Sequence, residues 1–231
     1  MKKILNWYRN HWYYVGSAIF IILAILMFLL GEHIDPVRQI MIASYMGLLI
    51  HQFEEYVLPG GFPMVWNIVW SGETEIYDRY PMNKHTAFFC NVCLMYPLYI
   101  LGILFSDCYV LGLMLMFFSI GQVVVHGIIL NIKMRRFYNP GVATVLFVLI
   151  PIGIYYIWYV SANLELPWWN YLLAFILLMP VSFCSLMLPI RKLANRNTQY
   201  IWPQYETEKF HVMEKMGKMN ADNVGTAKPS S

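Results

Sequence analysis

A chain of 231 residues that is 59% hydrophobic and only 13% charged, with a mean hydropathy of +0.51, has too little polar surface for a soluble domain, where roughly half apolar and a quarter charged is usual. Six apolar runs of roughly 20 residues use up the length and leave no room for a separate soluble domain. The net charge of +3 does not point to nucleic acid, because the basic residues gather at the ends of apolar runs, where orientation signals and lipid headgroups explain them.

In chain order, Lys2, Lys3 and Arg9 precede an apolar run at 12–30 with no small-residue cleavage site behind it. This reads as a retained first span rather than a cleaved signal. Further runs follow at 36–57, 86–106, 108–130, 141–161 and 167–190, each long enough to cross a hydrocarbon core as a helix. Turn-forming segments separate them, including Pro59-Gly60-Gly61-Phe62-Pro63, Ser106-Asp107 and Phe137 to Gly141. The expectation is an all-α polytopic membrane protein, a bundle of six transmembrane helices filling residues 1–190. A polar tail, 191–231, should be partly disordered, with a short helix near 206–219 and a flexible end, and is expected to carry no chemistry.

Lys and Arg number 3 before the first run, 2 in residues 58–85, 3 in residues 131–140 and 7 after residue 190, against Arg38 alone on the other side. The positive-inside rule therefore predicts cytoplasmic termini on both ends of a plasma-membrane protein.

Several polar residues fall where lipid should exclude them. The second run ends His51-Gln52-Phe53-Glu54-Glu55-Tyr56, which sets an imidazole and two carboxylates on one helical face at i, i+3 and i+4. Charge there costs several kcal/mol on insertion scales of about 3 kcal/mol per group, and adjacent acids repel, so a compensating cation or proton is expected. The third run opens at His85 and carries Asn91, the fourth returns through Gln122, His126 and Asn131, and the fifth follows Tyr138-Asn139-Pro140-Gly141 and carries Thr144. Four runs thus place polar groups at similar depth near one face.

His51, Glu54, Glu55, His126 and, more weakly, His85 are the candidate metal ligands; Glu54, Glu55, Asn131 and Asn91 are the candidate catalytic groups. Mixed His and carboxylate donors suit a divalent metal, zinc ahead of iron or manganese. Cys90 and Cys93 form a lone CxxC, for which packing is the favoured role. Phe62 to Trp70 offers Phe62, Val65, Trp66, Val69 and Trp70 at helical intervals, so a short amphipathic helix lying in the interface, or a lid over the cluster, is expected.

With these residues laid out, the chain resembles the HXXEE-domain family of multi-pass membrane proteins, which has no assigned activity. The likeness covers about residues 40–190. It rests on His51-Gln52-Phe53-Glu54-Glu55, the turn at 59–62, Asn91, His126, Tyr138-Asn139-Pro140-Gly141 and Thr144. It implies a metal-dependent membrane enzyme with His51, Glu54, Glu55 and His126 as core positions. A looser likeness of plan to intramembrane prenyl-protein proteases lacks their Arg after the Glu pair, since Tyr56-Val57-Leu58-Pro59 follows here.

The residues favour a metal-dependent hydrolase or transferase acting on a lipid or lipid-linked substrate from the inner leaflet, with one Glu as ligand and the other as general base. Two rivals use the same residues: an iron-dependent oxidoreductase, and an ion or proton transporter.

Overall fold

Apolar runs this long have no water to satisfy their backbone groups in lipid, so each must bond within itself as a helix. In the computed structural model, which describes residues 2–217, there is no strand among the described residues, and the fold is all-α. The helices are α1 (Lys2–Leu30), α2 (Pro36–Tyr56), α3 (62–70), α4 (Lys84–Leu104), α5 (Tyr109–Met134), α6 (Val142–Asn163), α7 (Trp169–Leu193) and a short α8 (Gln204–Thr207).

Among the described residues five helices, α1, α4, α5, α6 and α7, are long and apolar enough to cross a membrane, where six were expected. The exception is α2. It begins as the sequence dictates, with the Asp35 side chain capping the Arg38 N–H at 2.9 Å and Pro36 in the first turn. It has the length to span, but Arg38, Gln39, Ser44, His51, Gln52, Glu54 and Glu55 lower its hydropathy. Of its 21 residues, 14 are buried, because α1, α4 and α6 all pack on it. A helix wrapped by other helices need not be apolar towards lipid, and this one uses that freedom to carry His51, Glu54 and Glu55.

Four of the long helices contain a widened π-helical stretch: Phe89–Met95, Val123–Ile129, Val145–Leu149 and Phe183–Met187. Three have a visible cause. Pro97, Pro151 and Pro189 each lack an N–H and press on the carbonyl four residues back, at Cys93, Phe147 and Ser185, all inside those stretches. The fourth has no proline and contains His126.

The segment after α2 departs from the expectation. Gly60 and Gly61 take left-handed φ of 72° and 89°, a conformation costly for a residue with a Cβ. The helix expected after this turn forms as α3, but Phe62, Pro63, Met64, Val65, Trp66, Asn67, Ile68 and Val69 are all buried, so it does not lie in an interface with one face exposed. The tail is also built in. Trp202 and Glu206 are buried, Trp202 N–H donates to Asp78 O at 2.8 Å and its indole Nε1 to Met82 O at 2.9 Å, and Lys209 Nζ donates to Tyr56 O at 2.8 Å. The expected flexible end of the tail lies outside the described residues.

Candidate metal centre

The last two turns of α2 face the π-helical stretch of α5 across the first turn of α6. There His51 Nε2 lies 3.6 Å and His126 Nε2 3.5 Å from the same oxygen, Oε1 of Glu55, with all three residues buried. The two imidazole rings meet edge to face, centroids 5.0 Å apart at 82°. These three residues form a group whose ligand atoms all lie within 4.8 Å of one another.

The protonation of the two histidines follows from their other nitrogens. Asn139 donates its amide to His126 O at 2.6 Å and to Asn131 Oδ1 at 2.7 Å, so its Oδ1 is an acceptor, and His126 Nδ1–H donates to it at 2.9 Å. Thr144 Oγ1 has one proton, spent on Glu54 Oε2 at 2.6 Å or Gly141 O at 3.0 Å, so it accepts from His51 Nδ1–H at 2.9 Å. Both Nε2 atoms therefore present bare lone pairs to Glu55. Among the described residues no hydrogen-bond donor reaches Glu55. Separations of 3.5 and 3.6 Å are too long for hydrogen bonds. Three electron-rich atoms thus converge in a buried space with nothing positive between them, a repulsive arrangement that a cation relieves. Tetrahedral zinc with bonds of about 2.0–2.1 Å sets its ligand atoms about 3.4 Å apart, so the donor types suit such an ion and the two imidazole–carboxylate separations of 3.5 and 3.6 Å are close to that spacing.

Glu54, one residue away, lies outside the group. Its Oε1 accepts from Tyr138 OH at 2.9 Å and Ala143 N–H at 3.2 Å, and its Oε2 from Thr144 N–H at 2.8 Å and Thr144 OH at 2.6 Å. The carboxylate caps the N-terminus of α6, where orphan N–H groups and the helix dipole favour negative charge. Through Thr144 it also fixes His51. Burial, and then the Glu54 carboxylate, push the Tyr138 hydroxyl well above its usual range, so it stays a donor. Gly141, at φ 109°, brings the chain between the rings: a Cβ there would stand 2.5 Å from His126 Cε1 and 2.9 Å from His51 Cε1.

The other expected site residues take supporting places. Asn131 closes the relay to Asn139 and donates to Gly127 O and Phe137 O. Asn91 accepts from Gln52 at 2.9 Å and donates to Ala87 O, and Gln52 in turn accepts from Tyr96 OH at 2.8 Å. His85 lies elsewhere, against Tyr200 with ring centroids 5.0 Å apart. Cys90 is buried and Cys93 exposed, both as free thiols. Two contributors come from the turn segments at 59–62 and 138–141. Phe62 of α3 stacks on His126 with centroids 5.1 Å apart at 27°, and Gly141 is indispensable only because both rings close on it.

A cavity of about 100 Å³ opens from the group. Its other walls are largely apolar, with Leu48, Met95, Phe118 and Leu186 beside the amides of Asn91 and Gln122.

Fold and site together define an all-helical protein with five helices long and apolar enough to cross a membrane and a buried His/Glu group able to hold a metal ion. Residues 42–156 match the family described as "Protein of unknown function with HXXEE motif". His51, Glu54, Glu55, His126, Asn139 and Thr144 all fall within the matched region. No curated protein and no solved structure matches the chain.

Proposed function

We propose that the chain is a multi-pass protein of the plasma membrane, with α2 as a sixth span and both termini cytoplasmic, and that His51, Glu55 and His126 hold a divalent metal, zinc first, in a hydrolase or transferase acting on a lipid or lipid-linked substrate. One observation carries this reading: two imidazole lone pairs and an undonated carboxylate converge at 3.5–3.6 Å, each imidazole locked from behind by the protein. The orientation rests on the Lys and Arg distribution.

A divalent ion bound there supplies Lewis acidity and makes water a usable nucleophile near neutral pH. The chain's own residues do the rest. His51 and His126 are each held through Nδ1–H in the tautomer that turns Nε2 towards Glu55. Glu55 Oε2, which accepts no hydrogen bond, is the atom placed to take up a proton. Glu54 is fully engaged in bonds and acts as a positioning residue. The apolar wall formed by Leu48, Met95, Phe118 and Leu186 suits the hydrocarbon part of a substrate, and the Asn91 and Gln122 amides suit its polar junction.

The donor set itself favours a second reading. Two histidines and one carboxylate with open positions also describe iron oxygenase sites, so an iron-dependent oxidoreductase acting on a lipid chain is the alternative. Comparing lipid extracts of cells carrying the intact gene with cells carrying His126→Ala tests the enzymatic claim. The expected result is one lipid class that accumulates in the variant. Identical lipid profiles under conditions where the protein is abundant would contradict it.

A further inference from the structure

A second, open cavity of about 620 Å³ shares no lining residue with the one at the His/Glu group. Lys3, Asn6, Arg9 and Asn10 from the start of α1 line it, together with Lys84 and Tyr200. Of the three cations, Lys84 is neutralised by Glu206 at 2.8 Å, whose carboxylate also accepts from Tyr13 and Tyr205. Among the described residues neither Lys3 nor Arg9 forms an ion pair.

Arg9 is nonetheless held in place. Its guanidinium lies over the Tyr200 ring at 4.5 Å and donates to Asn6 Oδ1 at 3.3 Å, while its buried Nε has no hydrogen-bond partner. The same Tyr200 ring contacts His85, whose buried Nδ1 is a second nitrogen without a partner. An ordered guanidinium fork, an unpaired ammonium and two amides around an open groove match an anion with several acceptor oxygens. Leu5 and Ile201 add an apolar edge, and little of the apolar stretch of α1 that continues from the groove is buried.

We propose that this groove binds a phosphate group, held by Arg9 and Lys3. An anionic phospholipid headgroup and free inorganic phosphate offer the same oxygens; the apolar edge favours the lipid. The test uses the full chain purified in a maltoside detergent, titrated separately with short-chain phosphatidylglycerol and with inorganic phosphate, reading the unfolding temperature. Saturable stabilisation by phosphatidylglycerol, weakened about tenfold or more in Arg9→Gln and in Lys3→Gln but not in Lys192→Gln on an exposed helix end, is the expected result and assigns the site to a headgroup. The same pattern with inorganic phosphate alone supports a phosphate site and assigns it to the free ion. No saturable effect of either, or an equal loss in Lys192→Gln, overturns the proposal. Should Arg9→Gln unfold without ligand, Arg9→Lys keeps the charge and loses only the fork; binding unchanged in that variant and in Lys3→Gln would likewise overturn it.

Discussion

Glu54 and Glu55 are neighbours on one helix with opposite surroundings, and the difference is measurable. Glu54 satisfies four donors; Glu54→Gln puts an NH2 where at least one donor pointed and should cost about 1–3 kcal/mol, read as a lower unfolding temperature with or without metal. Glu55→Gln should leave the metal-free protein as stable as before or more so, because it removes a charge that faces two lone pairs, and it should abolish metal binding. If both variants destabilise the metal-free chain equally, Glu55 is bonded by the protein and the site is misread. Thr144→Val and Asn139→Ala, which unlock the imidazoles, should each weaken metal binding about 10–100-fold, measured by competition with a chelator. Gly141→Ala forces a Cβ between the rings and a left-handed φ on alanine, a loss of at least about 2 kcal/mol, seen in thermal unfolding. The His51, Glu54, Glu55 spacing is legible in the sequence because helical periodicity puts all three on one face. Which carboxylate the protein occupies is not, because Glu54's donors come from residues 84 to 90 positions further along.

At the scale of elements, run length and turn chemistry expose the helices, and Pro97, Pro151 and Pro189 mark where three of them widen. The character of α2 is hidden because hydropathy reports what a helix would face if it stood alone, and this helix is surrounded by its own chain. The burial of α3 is hidden for the same reason: aromatic residues at helical intervals serve an interface and an interior equally well. Because Phe62 covers His126 without ligating, Phe62→Ala should cost about 3–5 kcal/mol in stability yet leave metal affinity within a few-fold of wild type. A loss of affinity as large as that of His126→Ala would make α3 part of the binding machinery.

Across the whole molecule, the tail is where the sequence misleads most. Its polar composition suggests a passive extension, but Trp202 and Glu206 are buried against Met82, Lys84 and Tyr13, contacts with no local signal. The proposed orientation puts Cys108, exposed at the turn between α4 and α5, on the outer face and Lys192 on the inner. A membrane-impermeant maleimide should label Cys108 in intact cells and a cysteine placed by Lys192→Cys only after permeabilisation; the reverse pattern would invert the topology. A transporter would need polar groups along a path, whereas the cavity wall beyond the His/Glu group is largely apolar, broken by the amides of Asn91 and Gln122.

Elemental analysis of the chain purified without a histidine tag tests the metal centre most directly. About one zinc or iron per chain, absent from His51→Ala and His126→Ala but retained in Asn91→Ala, is the predicted result. A wild-type chain that purifies free of metal and takes up neither zinc nor iron on reconstitution, while still folded, would contradict it.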